Sequence, residues 1–162
     1  MSDVNELLER FRRGPELLAV ATTGAAGSEL DFVPGPEKWS VRQIVCHLAD
    51  AELEGAVRFR RVIAEENPAL IAYDQEAWAR HLGYSRRKLS QALESFRRIR
   101  SENHELLKEL PEEAFSRTGT HNERGVLSLF DLLKIYTEHA EQHARQIREV
   151  RDAYKTHRTS NG

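Results

Sequence analysis

Residues Ser128–Tyr154 read SLFDLLKIYTEHAEQHARQIREVRDAY, with neither glycine nor proline. Leu129, Leu132, Tyr136, His139, His143, Ile147, Val150 and Tyr154 recur at spacings of three and four, the period of one face of an α-helix. Ser128, with Asp131 three residues on, has the pattern of a capping box and marks the start. Two rungs of this apolar ladder are histidines. Standing four residues apart, their imidazoles leave the helix on the same side. A histidine on a buried stripe has two ring nitrogens to satisfy. Neighbouring polar side chains can do this, and so can a metal ion, for which imidazole is the commonest ligand. The stretch therefore predicts a long core helix and directs attention to further ligands elsewhere.

Immediately upstream, residues 112–127 carry Gly119 and Gly125 and read as a connector. Before it, a helix is expected from Ser85 to about Leu110, stopped by Pro111, with Leu89, Leu93, Phe96, Ile99, Asn103, Leu106 and Leu110 as its inner stripe. Arg86, Arg87, Lys88, Arg97, Arg98 and Arg100 then form a basic, solvated outer face. Residues 69–84 are longer than an antiparallel helix pair needs and contain a short helix over 74–81; such a link allows two helices to run parallel.

Further upstream, Ser40 with Gln43 is a second capping box, opening a helix that runs to about Glu66 and ends at Asn67-Pro68. Its stripe is Ile44, His47 or Leu48, Ala51, Gly55, Phe59, and Val62 or Ile63, which puts a third histidine on an inward face. Residues 22–38 form a connector carrying Leu30, Phe32 and Val33. Residues 3–12 and 15–23 are shorter helical pieces separated at Gly14-Pro15. No strand-like alternation or repeat stands out. The prediction is an all-α four-helix bundle with long crossover connections, one domain over residues 1–156, and a polar tail over 157–162.

The totals narrow the function classes. Net charge is −2 and the pI about 6.4, without the overall basic bias of a nucleic-acid-binding protein. No apolar run approaches the roughly 20 residues of a membrane span, and the acidic opening MSDVNELLERFRR lacks the apolar core of a signal peptide. A single cysteine excludes an internal disulfide framework and fits a reducing cytoplasm.

His47, His139 and His143 together give three neutral nitrogen donors, the ligand set of an open, catalytic-type zinc site that nickel or iron also suits. Other histidine chemistries fail on spacing. A zincin requires Glu directly after its first histidine, where Ala140 stands. A di-iron bundle requires two Glu-x-x-His pairs, but Ile44, Tyr136 and Ala140 precede the three histidines by three. There is no glycine-rich phosphate loop. Cys46 is turned about 100° from His47 and reads as a small core residue. Asp50, three after His47, is a candidate partner of the site or a nearby base, and equally a solvated carboxylate. Tyr73, Asp74 and Trp78 are candidates for a pocket mouth, with a bundle cap as the other reading of Trp78. His121 reads as a surface loop residue able to orient substrate; His81, His104 and His157 read as outer-face or tail residues.

The stretch Trp39–Ile44, WSVRQI, followed by His47-Leu48-Ala49-Asp50, resembles a signature of the DinB/YfiT-like superfamily. So does Arg58–Ala79, and Thr137–Ile147 resembles the family's closing HxxxHxxxI motif, in the same order and over about residues 10 to 150. The resemblance implies an up-down-down-up four-helix bundle and a metal, usually zinc or nickel, on His47, His139 and His143. It also implies, from the family's range, S-transferases using bacillithiol, mycothiol or glutathione, a thiol-dependent isomerase, and members classed as metal-dependent hydrolases, often dimeric. Relatives often carry histidine where Cys46 stands; that position is not among the matched ligands. The expectation is a cytoplasmic, homodimeric enzyme with a small-molecule substrate that activates a low-molecular-weight thiol or a water. Its rivals are a non-catalytic metal-binding stress-response bundle and an interaction module using the basic third helix.

Overall fold

The computed structural model describes residues 2–162 and consists of α1 (Ser2–Arg12), α2 (Gly14–Thr22), α3 (Val41–Ala64), β1 (Ala69–Leu70), α4 (Gln75–His81), α5 (Leu89–Lys108), β2 (Thr118–His121), β3 (Gly125–Ser128) and α6 (Leu129–Ser160). Both capping boxes are formed. Ser40 Oγ accepts from Gln43 N at 3.2 Å and Ser40 N donates to Gln43 Oε1 at 2.9 Å. The Ser128 and Asp131 pair repeats this at 3.0 and 2.9 Å. These bonds satisfy N–H groups that the first turn of a helix leaves without partners. At the break between α1 and α2, Pro15 falls in the opening turn, where its missing N–H costs nothing; the two helices together make one long element of the bundle.

The connections set the helix directions. β1 follows α3 and pairs in parallel with β2, which follows α5, so the C-terminal ends of α3 and α5 lie together. α6 starts from the hairpin partner β3 at that same end and runs back against both. Val4, Leu7, Leu8 and Phe11 of α1 pack with Phe59, Val62, Leu107 and Leu129, which sets α1 and α2 alongside α6 in direction. The result is the expected up-down-down-up four-helix bundle. A second cluster fills the opposite end, built on Leu18, Val41, Ile44, Val45, Phe96, Ala140 and Ile147.

Three expectations need correction. The connectors around 69–84 and 112–127 contain a three-stranded sheet in the order β1-β2-β3. Its strands are two to four residues long, too short for alternation to show. Arg100 does not belong to the basic outer face. The buried line of α5 is Ala92, Phe96, Arg100, Asn103 and Leu107, with Arg100 only 1% exposed. Its guanidinium forms a two-pronged ion pair with Glu52 of α3 at 2.7 and 2.9 Å. It also donates to Phe11 O and Tyr136 O at 2.9 and 3.1 Å and lies over the Phe11 ring, 4.0 Å from its centroid. One side chain thus ties four elements together. Gly14 leaves it room, since a Cβ there would sit 2.5 Å from Arg100 Nη1. The start of α5 also shifts, because Tyr84–Arg86 forms a separate 3-10 turn and Leu89 opens the helix.

Candidate metal centre

His47 sits early in α3, after its capped first turn, and His139 and His143 occupy successive turns of α6. His47 is buried and the other two are half-buried. The Nε2 atoms converge: His47 to His139 at 3.0 Å and His143 to His139 at 3.1 Å. The rings splay about this point, with interplanar angles of 76°, 73° and 88° and centroids 4.5–5.0 Å apart. They are not stacked. Three nitrogens around one zinc at about 2.0–2.1 Å would lie about 3.3 Å from each other in tetrahedral geometry, so the present spacing needs only small side-chain adjustments.

The proton positions fit the same purpose. Gln146 Oε1 accepts from His143 Nδ1 at 2.6 Å, which leaves the Nε2 of His143 as a lone pair directed at the other two rings. A polar partner on the outer ring nitrogen is the usual arrangement for a metal-binding histidine. Burial pushes the pKa of His47 down to about 3, with the neighbouring His143 adding to the shift. His139 is lowered well below the ordinary value by burial and by the two other histidines, and His143 is lowered by burial against the opposing bond from Gln146. Three neutral imidazoles presenting nitrogen at one point can share at most a few N–H···N bonds, whereas a divalent cation accepts all three lone pairs. The donor set fits such a cation.

Around the histidines, the Trp39 ring packs edge-on against His47, 5.1 Å between centroids. Gly55 allows Tyr136 close to α3, because a Cβ there would lie 2.7 Å from the tyrosine ring. Asp50 accepts from the Tyr84 hydroxyl at 2.8 Å and from Arg87 Nη1 at 2.9 Å. Tyr84 in turn lies against Trp39, so Asp50 is linked to His47 through two aromatic rings. Cys46 is fully buried, its thiol directed at Tyr84 O, and burial raises its pKa, consistent with a core residue.

A cavity of about 150 Å³ reaches His139 from the side of the small sheet. Arg58, Tyr73, His121, Arg124 and Tyr136 are on its wall. Tyr73 thus stands on the cavity wall, packed at a 36° tilt against Trp78 with centroids 4.3 Å apart. Trp78 itself packs against the core, and Asp74 caps α4 by accepting from Ala77 N. His121 is buried rather than a surface loop residue, because β2 carries it inward. Arg58, Arg124 and Gln146 have no role in the sequence pattern, and Tyr136 appears there only as part of the inward stripe of α6. Local signals exist for two of them, Tyr136 three residues before His139 and Gln146 three after His143.

Comparison with known proteins agrees with this geometry. A sequence model described as the DinB superfamily matches residues 10–147. The chain is 28% identical over 144 residues to OB0782 of Oceanobacillus iheyensis, covering 89% of this chain and 83% of the relative. It is 29% identical over 137 residues to YfiT of Bacillus subtilis, covering 84% and 77%. Both relatives are named, by inference, as metal-dependent hydrolases. The solved structure of Bacillus subtilis YfiT, described as an unusual four-helix bundle topology, matches with a TM-score of 0.86 at 27% identity, covering 91% of this chain and 85% of that one.

Proposed function

Since this chain belongs to the DinB superfamily, we propose that it is a metal-dependent enzyme in which His47, His139 and His143 hold a divalent ion, zinc or nickel, that activates a low-molecular-weight thiol or a water against a small-molecule substrate. The observation that carries the reading is the convergence of three neutral Nε2 atoms within 3.0–3.1 Å steps, next to a cavity that reaches one of them. A divalent ion bound there would supply Lewis acidity enough to make a coordinated thiol or water nucleophilic at neutral pH. The chain's own residues do the rest. The three histidines would hold the ion and would leave room for a further ligand, Gln146 fixes the tautomer of His143, and Trp39 packs over His47. Asp50 acts as a positioning residue through Tyr84 and Trp39. Among the described residues, no helix is long and apolar enough to cross a membrane; a cytoplasmic location, a homodimer and the absence of nucleic-acid partners complete the proposal.

The test is elemental analysis of protein purified without a metal-affinity tag, followed by a panel of bacterial thiols and electrophiles. Near-stoichiometric zinc or nickel that is lost in a folded His139→Ala variant supports the centre. Thiol conjugation selects the transferase branch, and ester or amide cleavage the hydrolase branch. Tight metal with neither activity selects the non-catalytic metal-binding bundle, and absence of metal overturns the reading.

A further inference from the structure

We infer that the cavity beside His139 is a carboxylate subsite, built by Arg124, His121, Tyr136 and Arg58, so that one of the molecules brought to the metal centre carries a carboxylate. This names the ligand chemistry of the site proposed above and relies on that reading for the ion alone.

Each wall residue is held with a donor available. His121 Nδ1 accepts from two backbone groups of its own hairpin, Glu123 N and Arg124 N, both at 3.1 Å. Its neutral ring therefore carries the proton on Nε2, the opposite ring nitrogen. The Tyr136 oxygen accepts from Arg58 Nη1 at 3.1 Å, which leaves the phenol proton to be donated elsewhere. Arg58 is anchored by Ile71 O at 2.7 Å, while its buried Nε has no hydrogen-bond partner. Glu54 Oε1 forms an ion pair with that atom at 3.6 Å, longer than a hydrogen bond. Arg124 is exposed at the rim, and no carboxylate pairs with it among the described residues.

The unpaired donors favour an anion. Arg58 and Arg124 line the cavity with the exposed Glu123; Glu54 pairs with Arg58, which leaves Arg124 as the cation available to a ligand. The histidine ligands are all neutral, so a bound divalent ion would bring its charge uncompensated. Arginine and N–H donors around a partly enclosed space suit a carboxylate, whose bonds to charged donors are the strong ones. The volume of about 150 Å³ is on the scale that admits a benzene-sized group.

The experiment compares benzoate, an anion, with benzamide, a neutral molecule of nearly equal size, by calorimetry on the metal-free chain. Benzoate is expected to bind about tenfold more tightly, as for a gained charge-assisted bond. That preference should disappear in Arg124→Ala and persist in Arg97→Ala, a change on the outer surface of α5. Benzoate should also shift the His121 Nε2 resonance in imidazole nitrogen spectra. Equal binding of the two probes, binding of neither, or a preference that survives Arg124→Ala overturns the inference. Because no metal is present, these outcomes are independent of the elemental analysis. Zinc-loaded protein then separates the two sources of the carboxylate. If 3-mercaptopropionate excludes benzoate and 2-mercaptoethanol does not, the subsite serves the thiol. If benzoate binds alongside saturating 3-mercaptopropionate, it serves the second substrate.

Discussion

His47, His139 and His143 on one side, and Glu52, Arg100 and Asn103 on the other, are two polar clusters held among the same helices. They follow opposite rules. In the second cluster, every charge meets its complement: Arg100 pairs with Glu52, Asn103 donates to Glu52 and accepts from Arg60, and two backbone carbonyls accept further guanidinium N–H groups. In the first, like groups face one another with no counter-charge, and burial keeps them neutral. A polar cluster complete in itself fastens the bundle. One that is complete only when something is added marks the place where the bundle acts.

The contrast breaks most sharply at Arg100. Arg100→Ala strands the Glu52 carboxylate and should destabilise the chain by about 3–5 kcal/mol, read from urea unfolding. The double replacement Glu52→Leu with Arg100→Met should recover most of the loss. If Arg100→Ala unfolds at the wild-type midpoint, the fastening role is wrong. His139→Ala should do the reverse. Metal-free, it should unfold within about 1 kcal/mol of the metal-free parent, since no charge is stranded. It should also lose the stabilisation that free zinc confers on the parent, about 4 kcal/mol at a thousandfold excess over Kd. Gln146→Ala should leave the fold intact and weaken metal binding about 10- to 100-fold, measured by competition with a chelator.

The remaining effect is gradual and is read in pH. The histidine pKa values lie below 6.5 in the folded chain, so the unfolded chain takes up more protons between that value and the folded one. The stability of the metal-free protein is thus intact above pH 6.5 and falls as pH drops toward about 3, the value for His47. The slope is at most about 1.4 kcal/mol per pH unit for each histidine. A His47→Phe variant should show a shallower slope, and an unchanged slope would contradict the proposed burial effect.

Much of this contrast was legible in the chain beforehand, but unevenly. Period and capping located α3 and α6, and placed His47, His139 and His143 on inward faces, because helix geometry converts spacing directly into direction. The same reasoning misplaced Arg100, since a stripe drawn through apolar residues passes to one side of a buried cation whose partner, Glu52, sits 48 residues away. The small sheet escaped for a related reason: its pairing is between Ala69-Leu70 and Thr120-His121, and neither piece carries a pattern by itself. His121 and Arg58 acquire their roles only from that pairing and from Tyr136 across the cavity.

The two ends of the metal centre are far apart along the chain, with His47 and His139 separated by 92 residues. At the usual pace of translation, about 5–20 residues per second, several seconds pass between the synthesis of one and the other. A nascent polypeptide thus offers at most one of the three imidazoles until the final helix emerges. Capture of an ion by all three would consequently wait until α6 has been made and has packed against α3.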